Sequence, residues 1–243
     1  MSQPLEKNQE NRLPRHIAII MDGNRRWALE HNVSRLAGHK KGIEAARRCV
    51  EAALDAGIEY LTLYAFSSEN WKRPKDEVES LMGLLRLYVG SELKRMAESQ
   101  VRLRFIGRRD NLPADIKNLL EKAEIATKDN TKLLLTLAIN YGSHGEILGA
   151  FKKLGRRIQD GQLDPETLTE QDLAFALETC EGPDPDMVIR TGGEKRLSNF
   201  LLWQSAYAEL VFMDAYWPDF NADSLEAAID EFQRRERRYG ARQ

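Results

Sequence analysis

The sequence predicts a single α/β domain, built on a sheet of about six mostly parallel strands with helices on both faces. Short apolar runs alternate along the chain with longer segments of helical periodicity, which is typical of parallel strands joined by crossover helices. The 243 residues contain no internal repeat, no low-complexity segment and no obvious linker. We expect the polar residues 1–13 to be disordered and residues 14–243 to form the folded domain.

Six short apolar runs predict the strands of this sheet. The first begins at Ile17, is rich in β-branched residues and shows no polar alternation, which is typical of a strand buried on both faces. The six runs are 17–21, 60–66, 101–107, 132–139, 187–190 and 209–213. The spacing between them leaves room for a helical crossover after most strands.

Helix signals fill the intervals between the strands. Gly57 is suited to end one helix, Pro74 to begin another, and Thr169 stands where a capping box would begin. The predicted helices are the segment after Gly23 up to Glu30, 38–56, 74–99, 112–128, 143–157, 169–179, 198–204 with a cap at Ser198, and a final helix from a cap at Asp223 or Ser224 to the basic run 234–238.

The helix predicted at 74–99 carries more apolar residues than one core-facing stripe needs. Two interpretations stay open on the residues alone. The helix is either buried between neighbours, or its second apolar face lines a cavity for an apolar ligand. The apolar residues are Val78, Leu81, Met82, Leu84, Leu85, Leu87, Tyr88, Val89, Leu93 and Met96.

Composition and charge exclude several classes of protein. With 42% hydrophobic and 30% charged residues, the chain is ordinary for a globular protein, and its net charge of −2 does not suggest nucleic-acid binding. No apolar run reaches the about 18–20 residues of a membrane span, and no signal peptide opens the chain. Cys49 and Cys180 are isolated, so we expect no disulfide and a reducing, cytoplasmic setting.

Several common catalytic motifs are absent. The sequence has no G-x-x-x-x-G-K-[ST] loop, no G-x-G-x-x-G turn after a strand and no G-x-S-x-G elbow, which disfavours P-loop kinases, the usual dinucleotide enzymes and α/β-hydrolases. Asn24 stands two residues after Asp22, where an aspartyl-phosphate phosphatase would carry a second aspartate. No Asp-Asp-x-x-Asp cluster occurs, which excludes the helical prenyl-chain synthases.

Asp22 and Gly23 end the first predicted strand at the edge where open α/β sheets bind ligands. The helix that follows offers free N–H groups and a positive dipole, which suit phosphate. Between residues 25 and 41 lie three arginines, two lysines and two histidines against one acid, although the whole chain is nearly neutral. A carboxylate beside several arginines predicts Mg²⁺ bridging to phosphate oxygens.

Polar clusters at four strand ends predict one site at a single edge of the sheet. They lie at 22–26, at 67–73, at 190–198 and at Glu209. The cluster at 190–198 contains two arginines, a glycine pair and a serine that could cap a helix. Since arginine binds phosphate through paired N–H donors, this cluster predicts a diphosphate cradle.

Long segments of the chain resemble the cis-prenyltransferase family, and within it the bacterial undecaprenyl diphosphate synthases. The resemblance covers about residues 14–240, in order and at the right spacing. The matching segments are His16-Ile-Ala-Ile-Ile-Met-Asp-Gly-Asn-Arg-Arg-Trp27, Gly38-His-Lys40, Phe66-Ser-Ser-Glu-Asn-Trp-Lys-Arg-Pro74, Asn140-Tyr-Gly142, Arg190-Thr-Gly-Gly-Glu-Lys-Arg-Leu-Ser-Asn-Phe-Leu-Leu-Trp-Gln204 and Ala206-Tyr-Ala-Glu-Leu210.

The resemblance implies a homodimer of α/β chains that uses Mg²⁺ to add isopentenyl diphosphate repeatedly to farnesyl diphosphate with cis double bonds. It implies undecaprenyl diphosphate as product, the carrier-lipid precursor for peptidoglycan and other cell-wall polymers. The setting would be the cytoplasm, with peripheral membrane contact through the lipid product. The product is hydrocarbon and needs a dry tunnel, so the resemblance favours the cavity interpretation of 74–99. We expect Leu81, Leu84, Leu85 and Val89 to line that tunnel with Leu133, Leu135 and Leu137.

The resemblance also implies roles for individual residues. Asp22 would be the central catalytic residue and a Mg²⁺ ligand, Asn70 the candidate proton acceptor, and Glu209 a second metal-site carboxylate. The allylic diphosphate would be held by Gly23, Asn24, Arg25, Arg26, Arg35 and His39, with Trp27 beside them. A mobile loop would comprise Ser67, Ser68, Glu69, Asn70, Trp71 and Arg73. Isopentenyl diphosphate would be held by Arg190, Arg196, Leu197 and Ser198. The basic end, 237–240, resembles a tail that reaches toward the partner's site.

One segment departs from the family pattern. After Asn140-Tyr-Gly142 the family usually continues Gly-Arg, whereas this chain has Ser143, His144 and Gly145 before Glu146. Two other functions stay in view. The chain could be a non-catalytic subunit of the same family, although such subunits lack the strand-end aspartate that is present here. It could instead be a lipid-diphosphate binding protein or phosphatase, which the absent phosphatase motifs disfavour.

Overall fold

The computed structural model of the chain describes residues 13–235 and contains one six-stranded sheet. Every neighbouring pair of strands is parallel, and the order is β3-β4-β2-β1-β5-β6. The strands are β1 (His16–Ile20), β2 (Tyr60–Ser67), β3 (Val101–Ile106), β4 (Leu133–Tyr141), β5 (Met187–Arg190) and β6 (Glu209–Phe212). The predicted single α/β domain is confirmed. The predicted disorder of 1–13 lies almost wholly outside the described residues.

Seven α-helices occur between and after these strands in the described part of the chain. They are α1 (Asn24–Glu30), α2 (Arg35–Asp55), α3 (Lys75–Glu98), α4 (Ala114–Thr127), α5 (Ser143–Gln159), α6 (Glu170–Ala176) and α7 (Ala222–Arg234). Short 3₁₀ turns occur at Ser68–Lys72, Pro165–Thr167 and Trp217–Asp219. Most predicted helices are therefore confirmed, with shifts of a few residues at their ends.

Two cores lie on opposite faces of the sheet, because successive strand residues point to opposite sides. On β1, Ile17 and Ile19 belong to the larger core, which also contains residues of α2, α3, α4 and α7. Ala18 and Ile20 face the smaller core, where Phe200 stacks on Tyr64 with ring centroids 4.5 Å apart. The burial of β1 on both faces confirms the interpretation of its unbroken apolar sequence.

The helix predicted at 198–204 is wrong. Ser198, Asn199 and Leu201 have φ angles of 50°, 63° and 44°, which a right-handed helix cannot contain. Hydrogen bonds to neighbouring elements hold this segment instead. The Ser143 N–H donates to the Asn199 carbonyl oxygen at 2.8 Å, and the Leu202 N–H donates to Ser143 Oγ at 2.8 Å.

The caps of two helices also differ from the prediction. α2 begins at Arg35 rather than Gly38, because Ser34 Oγ accepts a hydrogen bond from the Ala37 N–H. α7 is capped by Asn221, one turn before Ser224, rather than by Asp223 or Ser224 itself. The predicted basic end of α7 beyond residue 235 lies outside the described residues. Among the helices of 13–235, none has both the length and the apolar character of a bilayer span.

Candidate active site

A cavity of about 670 Å³ opens at the carboxyl edge of the sheet, beside the ends of β1, β2 and β5. Polar side chains surround its mouth, and apolar side chains line its interior. The polar lining comprises Asp22, Asn24, His39, Ser67, Glu69, Asn70, Arg73, Arg190, Ser198 and Asn199. The apolar lining includes Ile43, Ala46, Leu63, Phe66, Leu81, Leu84, Leu85, Tyr88, Leu137 and Ile139. Such a cavity suits a ligand with a charged head and a hydrocarbon chain.

Two arginines and one backbone amide fix the Asp22 carboxylate at the mouth of the cavity. Oδ2 accepts a hydrogen bond from Arg190 at 2.8 Å, and Oδ1 lies 3.1 Å from the Arg26 guanidinium. Oδ1 also accepts the Gly23 N–H at 2.6 Å. Burial raises the pKa of Asp22, but Arg190 and then Arg26 outweigh it, so this pKa lies below its usual value. The carboxylate is therefore ionised near neutral pH and available to a cation.

Gly23 is required between this carboxylate and α1. Its φ is +107°, and an added Cβ would lie 2.7 Å from a ring carbon of Tyr216. The Tyr216 ring also lies under the Arg26 guanidinium, whose carbon is 5.5 Å from the ring centroid. The turn thus brings Asp22, Arg26 and the start of α1 together at one point.

Thr191 was not among the predicted site residues, although it holds the main chain of Asp22 from both sides. Its Oγ1 accepts the Asp22 N–H at 3.0 Å and lies 2.7 Å from the Asp22 carbonyl oxygen, to which it donates. Thr191 is fully buried. The only sequence signal for Thr191 as a site residue was its position between Arg190 and the glycine pair.

We expect Thr191→Val to lower turnover about tenfold, because valine keeps the shape of threonine but removes the hydroxyl that bonds both backbone groups of Asp22. Each group keeps one other bond, to the Ile20 carbonyl oxygen and from the Trp217 N–H. Thr191→Ser keeps the hydroxyl and should recover most of the turnover. The measurement is kcat and KM for both variants, beside their urea midpoints. A purely structural role would lower the midpoint and leave kcat of the folded enzyme unchanged.

Arg190 connects Asp22 to the segment that follows β5. The side chain is only 5% exposed, and one of its terminal nitrogens donates to Ser198 Oγ at 2.7 Å and to the Arg196 carbonyl oxygen. The positive φ of Ser198 turns its hydroxyl toward this guanidinium. Arg190 therefore places Ser198 and Asp22 at one mouth of the cavity, as predicted for the cluster 190–198.

The segment after β2 is a 3₁₀ turn held by its own side chains. The Ser67 N–H donates to Asn70 Oδ1 at 3.0 Å, and Trp71 Nε1 donates to Asn140 Oδ1 at 2.7 Å. Glu69 accepts a hydrogen bond from Asn199 Nδ2 at 2.9 Å, which connects this turn to the segment after β5. Asn199 was not predicted, because its contacts depend on the turn that replaced the expected helix.

His39 and Arg73 line the mouth from the side of α2 and α3. Burial, and then the charge of Arg73, lower the pKa of His39, while Glu77 acts in the opposite direction. Arg73 donates to Glu77 at 2.7 Å, and Arg35 lies 3.5 Å from the same carboxylate. Glu77 thus holds together Arg35, which was predicted to bind the allylic diphosphate, and Arg73 of the predicted mobile loop.

The segment 74–99 contributes both to a cavity and to the core, and an apolar ligand in that cavity stays a prediction. Leu81, Leu84 and Leu85 line the cavity, and Tyr88 both lines it and belongs to the larger core. The larger core also contains Val78, Val89 and Met96. On β4, Leu137 lines the cavity as predicted. The predicted lining residues that do not line it are Val89, Leu133 and Leu135, which are buried in the larger core.

Several predicted site residues lie near the mouth without lining the cavity. Arg25 is exposed on α1, and Trp27 donates its Nε1–H to Asp219 at 2.7 Å. Ser68 donates to Glu69 at 3.1 Å, and the exposed Arg196 pairs with Glu194 at 2.5 Å. Leu197 packs against the smaller core.

The predicted position of Glu209 is wrong. Glu209 begins β6 and pairs in register with Met187, at the amino edge of the sheet, whereas Asp22 follows β1 at the carboxyl edge. Its carboxylate accepts a hydrogen bond from Arg235 at 2.9 Å. The prediction failed because the residue was assigned to the end of a strand that it begins. Within one chain, Glu209 does not join Asp22 in a metal site.

The Asp22 carboxylate is the group at this mouth that would hold a Mg²⁺ ion. No group of three or more His, Cys, Asp or Glu side chains in residues 13–235 is arranged to hold a metal ion. Mg²⁺ is commonly bound by one or two carboxylates, with phosphate oxygens and water completing the octahedron. The donor set at Asp22 therefore fits Mg²⁺ that arrives with a diphosphate.

The departure at 143–146 includes a buried acid, Glu146, that forms no ion pair with any residue between 13 and 235. Glu146 is 6% exposed and accepts hydrogen bonds from Tyr141 at 2.6 Å and from Gln204 at 3.0 Å. Its other oxygen accepts the Glu178 N–H at 2.9 Å. Burial raises the pKa of Glu146, against the opposing effect of the hydrogen bonds from Tyr141 and Gln204.

We expect Glu146→Gln to remove part of the pH dependence of stability. Because the folded state raises this pKa, it binds the proton more tightly than the unfolded state, and stability falls as pH rises from about 4.3 to the raised value. Because glutamine does not titrate, the variant does not lose this stability as the pH rises. Its urea midpoint relative to the parent should therefore be higher at about pH 8 than at about pH 4.5. Glu121→Gln, on the exposed side of α4, is the control and should show no such difference.

Comparison with known proteins shows that the chain is similar to isoprenyl transferases and to prenyl diphosphate synthases. The model of a family described as putative undecaprenyl diphosphate synthase matches residues 20–240. The isoprenyl transferase of Zymomonas mobilis is 52% identical to the chain, over 94% of this chain and 92% of its own length. The isoprenyl transferase of Agrobacterium fabrum is 50% identical, over 94% of this chain and 93% of its own length.

Two solved structures share the fold over nearly the whole chain. The lavandulyl diphosphate synthase of Lavandula x intermedia, solved in complex with dimethylallyl diphosphate, has a TM-score of 0.92 and 33% identity, covering 94% of this chain and 99% of that one. A probable undecaprenyl diphosphate synthase from Campylobacter jejuni has a TM-score of 0.79 and 35% identity, covering 95% of this chain and 100% of that one.

Proposed function

The chain belongs to the prenyltransferase family described as putative undecaprenyl diphosphate synthase, and from that premise we propose that it condenses isopentenyl diphosphate repeatedly onto farnesyl diphosphate, with cis double bonds and release of pyrophosphate. The observation that carries this proposal is the Asp22 carboxylate, fixed by Arg190 and Arg26 at the mouth of an apolar cavity. The proposed product is undecaprenyl diphosphate, a carrier-lipid precursor for peptidoglycan and other cell-wall polymers. The two similar isoprenyl transferases support the reaction class.

In the proposed reaction, the allylic carbon–oxygen bond breaks and negative charge moves onto the departing diphosphate. Arg26, Arg35 and His39 would hold that diphosphate, with the Asn24 amide and the free N–H groups of α1. Arg190 and Ser198 would hold isopentenyl diphosphate opposite it, with Arg196 at the exposed rim. The new carbon–carbon bond forms between the two bound chains, and pyrophosphate leaves.

A proton must then leave the added unit to form the cis double bond. Asn70 is the proposed first acceptor, since Ser67 fixes its side chain at the cavity mouth, and the departing diphosphate is the final one. When bound, Mg²⁺ would neutralise charge on the diphosphate, and Asp22 would be its protein ligand. The apolar interior excludes water from the growing chain, which would extend between α2 and α3.

We also propose that the chain is a homodimer in the cytoplasm. Leu148 and Phe151, about one turn apart on α5, are 57% and 61% exposed, and such a pair favours contact with a second copy. The cysteines Cys49 and Cys180 are both free, in keeping with a reducing compartment. Because the hydrocarbon product would partition into lipid, the enzyme would contact a membrane when it releases the product.

The test is incubation of the purified chain with farnesyl diphosphate, labelled isopentenyl diphosphate and Mg²⁺, followed by analysis of pyrophosphate and of product length. We expect pyrophosphate only when both substrates are present, and none after chelation of the metal. Release from either substrate alone would support the phosphatase alternative. No product from a folded chain would support the non-catalytic subunit. A single condensation would contradict repeated elongation, which matters because the lavender relative carries the name of a different diphosphate product.

We expect Tyr88→Ala to lengthen the product by one or more units. Tyr88 lines the cavity from α3, and on the next turn of that helix the buried Glu92 pairs with Arg47 and, at 2.5 Å, with Arg95. Removing the ring would open space along the tunnel. Tyr88→Phe is the control, because it removes only a buried hydroxyl that makes no hydrogen bond within residues 13–235 and should leave product length unchanged. Equal product lengths in all three proteins would contradict a stop at Tyr88.

A further inference from the structure

Three apolar side chains are exposed together where α1 passes into α2. Leu29, Val33 and Leu36 are 64%, 43% and 41% exposed, and they lie within eight residues of the chain. The Val33 N–H donates to the Ala28 carbonyl oxygen at 2.9 Å, and the Asn32 N–H donates to the Leu29 carbonyl oxygen at 3.2 Å. These bonds fold the connection between α1 and α2 into a tight turn. We call this group the apolar rim.

Two cations lie one helical turn from members of the apolar rim, because Arg25 precedes Leu29 by four residues on α1 and Lys40 follows Leu36 by four residues on α2. Residues 25–41 contain five Lys or Arg residues and one acid, Glu30, in a chain whose net charge is −2. Arg25 and Lys40 are exposed, and neither makes an ion pair with any residue in the range 13–235. Apolar side chains among unpaired cations are the pattern that binds an anionic lipid interface.

The apolar rim also lies beside the proposed tunnel. Leu36 lines a second cavity of about 280 Å³ between the beginnings of α2 and α3. Leu81, Leu84 and His39 line both this cavity and the larger one. The second cavity is also lined by charged side chains, among them Arg35, Asp76 and Glu77. It therefore places Leu36 beside the tunnel, at the charged mouth where the diphosphate groups would lie.

We propose that the apolar rim, with Arg25 and Lys40, docks the protein onto an anionic lipid surface beside the mouth of the cavity. The docking itself does not depend on the proposed reaction. Its use for delivering a long isoprenoid product to the bilayer does rest on that reaction. A second copy of the chain is disfavoured as the occupant, because a two-fold contact would bring the same excess of cations together.

The experiment is sedimentation of the full chain with vesicles, without substrate. One set contains phosphatidylcholine alone, and the other contains phosphatidylcholine with phosphatidylglycerol. We expect binding to the anionic vesicles, weaker binding at high salt, and little binding to the neutral ones. No binding to anionic vesicles, or equal binding to both sets, would overturn the proposal.

Variants of the apolar rim and of Lys40 test whether this surface binds the vesicles. We expect the double variant Leu29→Glu with Val33→Glu to lose at least about tenfold in vesicle binding, and Lys40→Ala to lose about fivefold. Ile125→Glu is the matched control, since Ile125 is 61% exposed on α4 and should leave binding unchanged. Equal loss in the control would show that the rim is not the contact. A change in oligomeric state of the double variant would identify a second copy as the occupant.

Pyrophosphate release from soluble substrates in detergent separates this proposal from the proposed function. The double variant should retain the parent's turnover there, because neither Leu29 nor Val33 lines either cavity. Vesicle binding without turnover in the parent would support the docking surface and contradict the reaction. Turnover without vesicle binding would support the reaction and contradict the docking surface.

Discussion

Replacing Asp22 by asparagine is expected to lower turnover at least about a thousandfold, while the protein stays folded. Asparagine keeps the shape of the side chain and one oxygen that can accept the Arg190 hydrogen bond, but it removes the charge. In the proposed reaction that charge holds the metal ion against the departing diphosphate. The measurement is pyrophosphate release at saturating substrates, over a series of Mg²⁺ concentrations.

Glu121→Gln provides the control, since it removes a carboxylate from the exposed side of α4 and should keep full activity. Asp22→Ala should be equally inactive, and also less stable in urea, because the buried Arg190 then lacks its partner. An Asp22→Asn protein with parent activity and parent Mg²⁺ dependence would contradict the role assigned to this carboxylate.

Replacing Arg190 by lysine is expected to lower kcat/KM for isopentenyl diphosphate about a hundredfold. The guanidinium contacts Asp22, Ser198 and the Arg196 main chain from two nitrogens at once. A lysine ammonium keeps the charge but cannot span these partners with one planar group. The measurement is steady-state kinetics with each substrate varied in turn, together with a urea midpoint to show that the variant is folded.

Arg108→Lys is the matched control, because Arg108 is 65% exposed and pairs only with Asp110 in the described structure. It should leave all kinetic constants near those of the parent. If kcat/KM falls equally for both substrates in Arg190→Lys, we would infer that Arg190 acts only by positioning Asp22. Unchanged kinetics in a folded Arg190→Lys protein would contradict a role of Arg190 in substrate binding.

The strands and most helices could be predicted because local sequence determines them strongly. A run such as 17–21 has enough apolar, β-branched residues to need burial on both faces, and the sheet supplies that. The segment 198–204 has no local sequence signal of comparable strength. Its backbone follows hydrogen bonds to Ser143 and Glu69, which are distant in the sequence, so helical propensity did not decide its conformation.

The site was predictable where its residues follow a strand directly. Asp22 and Arg190 end neighbouring parallel strands, so the sheet order brings them within hydrogen-bond distance. Thr191 and Asn199 were missed because they act through main-chain and loop contacts that carry no motif of their own. Glu209 was misplaced because it was grouped with residues that end strands, although it begins both the predicted run 209–213 and the observed β6.

The sequence by itself determined the fold class, the strand-end aspartate with its arginines, and the resemblance to one family over nearly the whole chain. These features depend on residue type and local order. The tertiary structure alone decided which leucines line the cavity and how Thr191 fixes Asp22. The physical reason is that each of these depends on register and packing between segments far apart in the chain, where a shift of one residue in a strand reverses the face of every side chain.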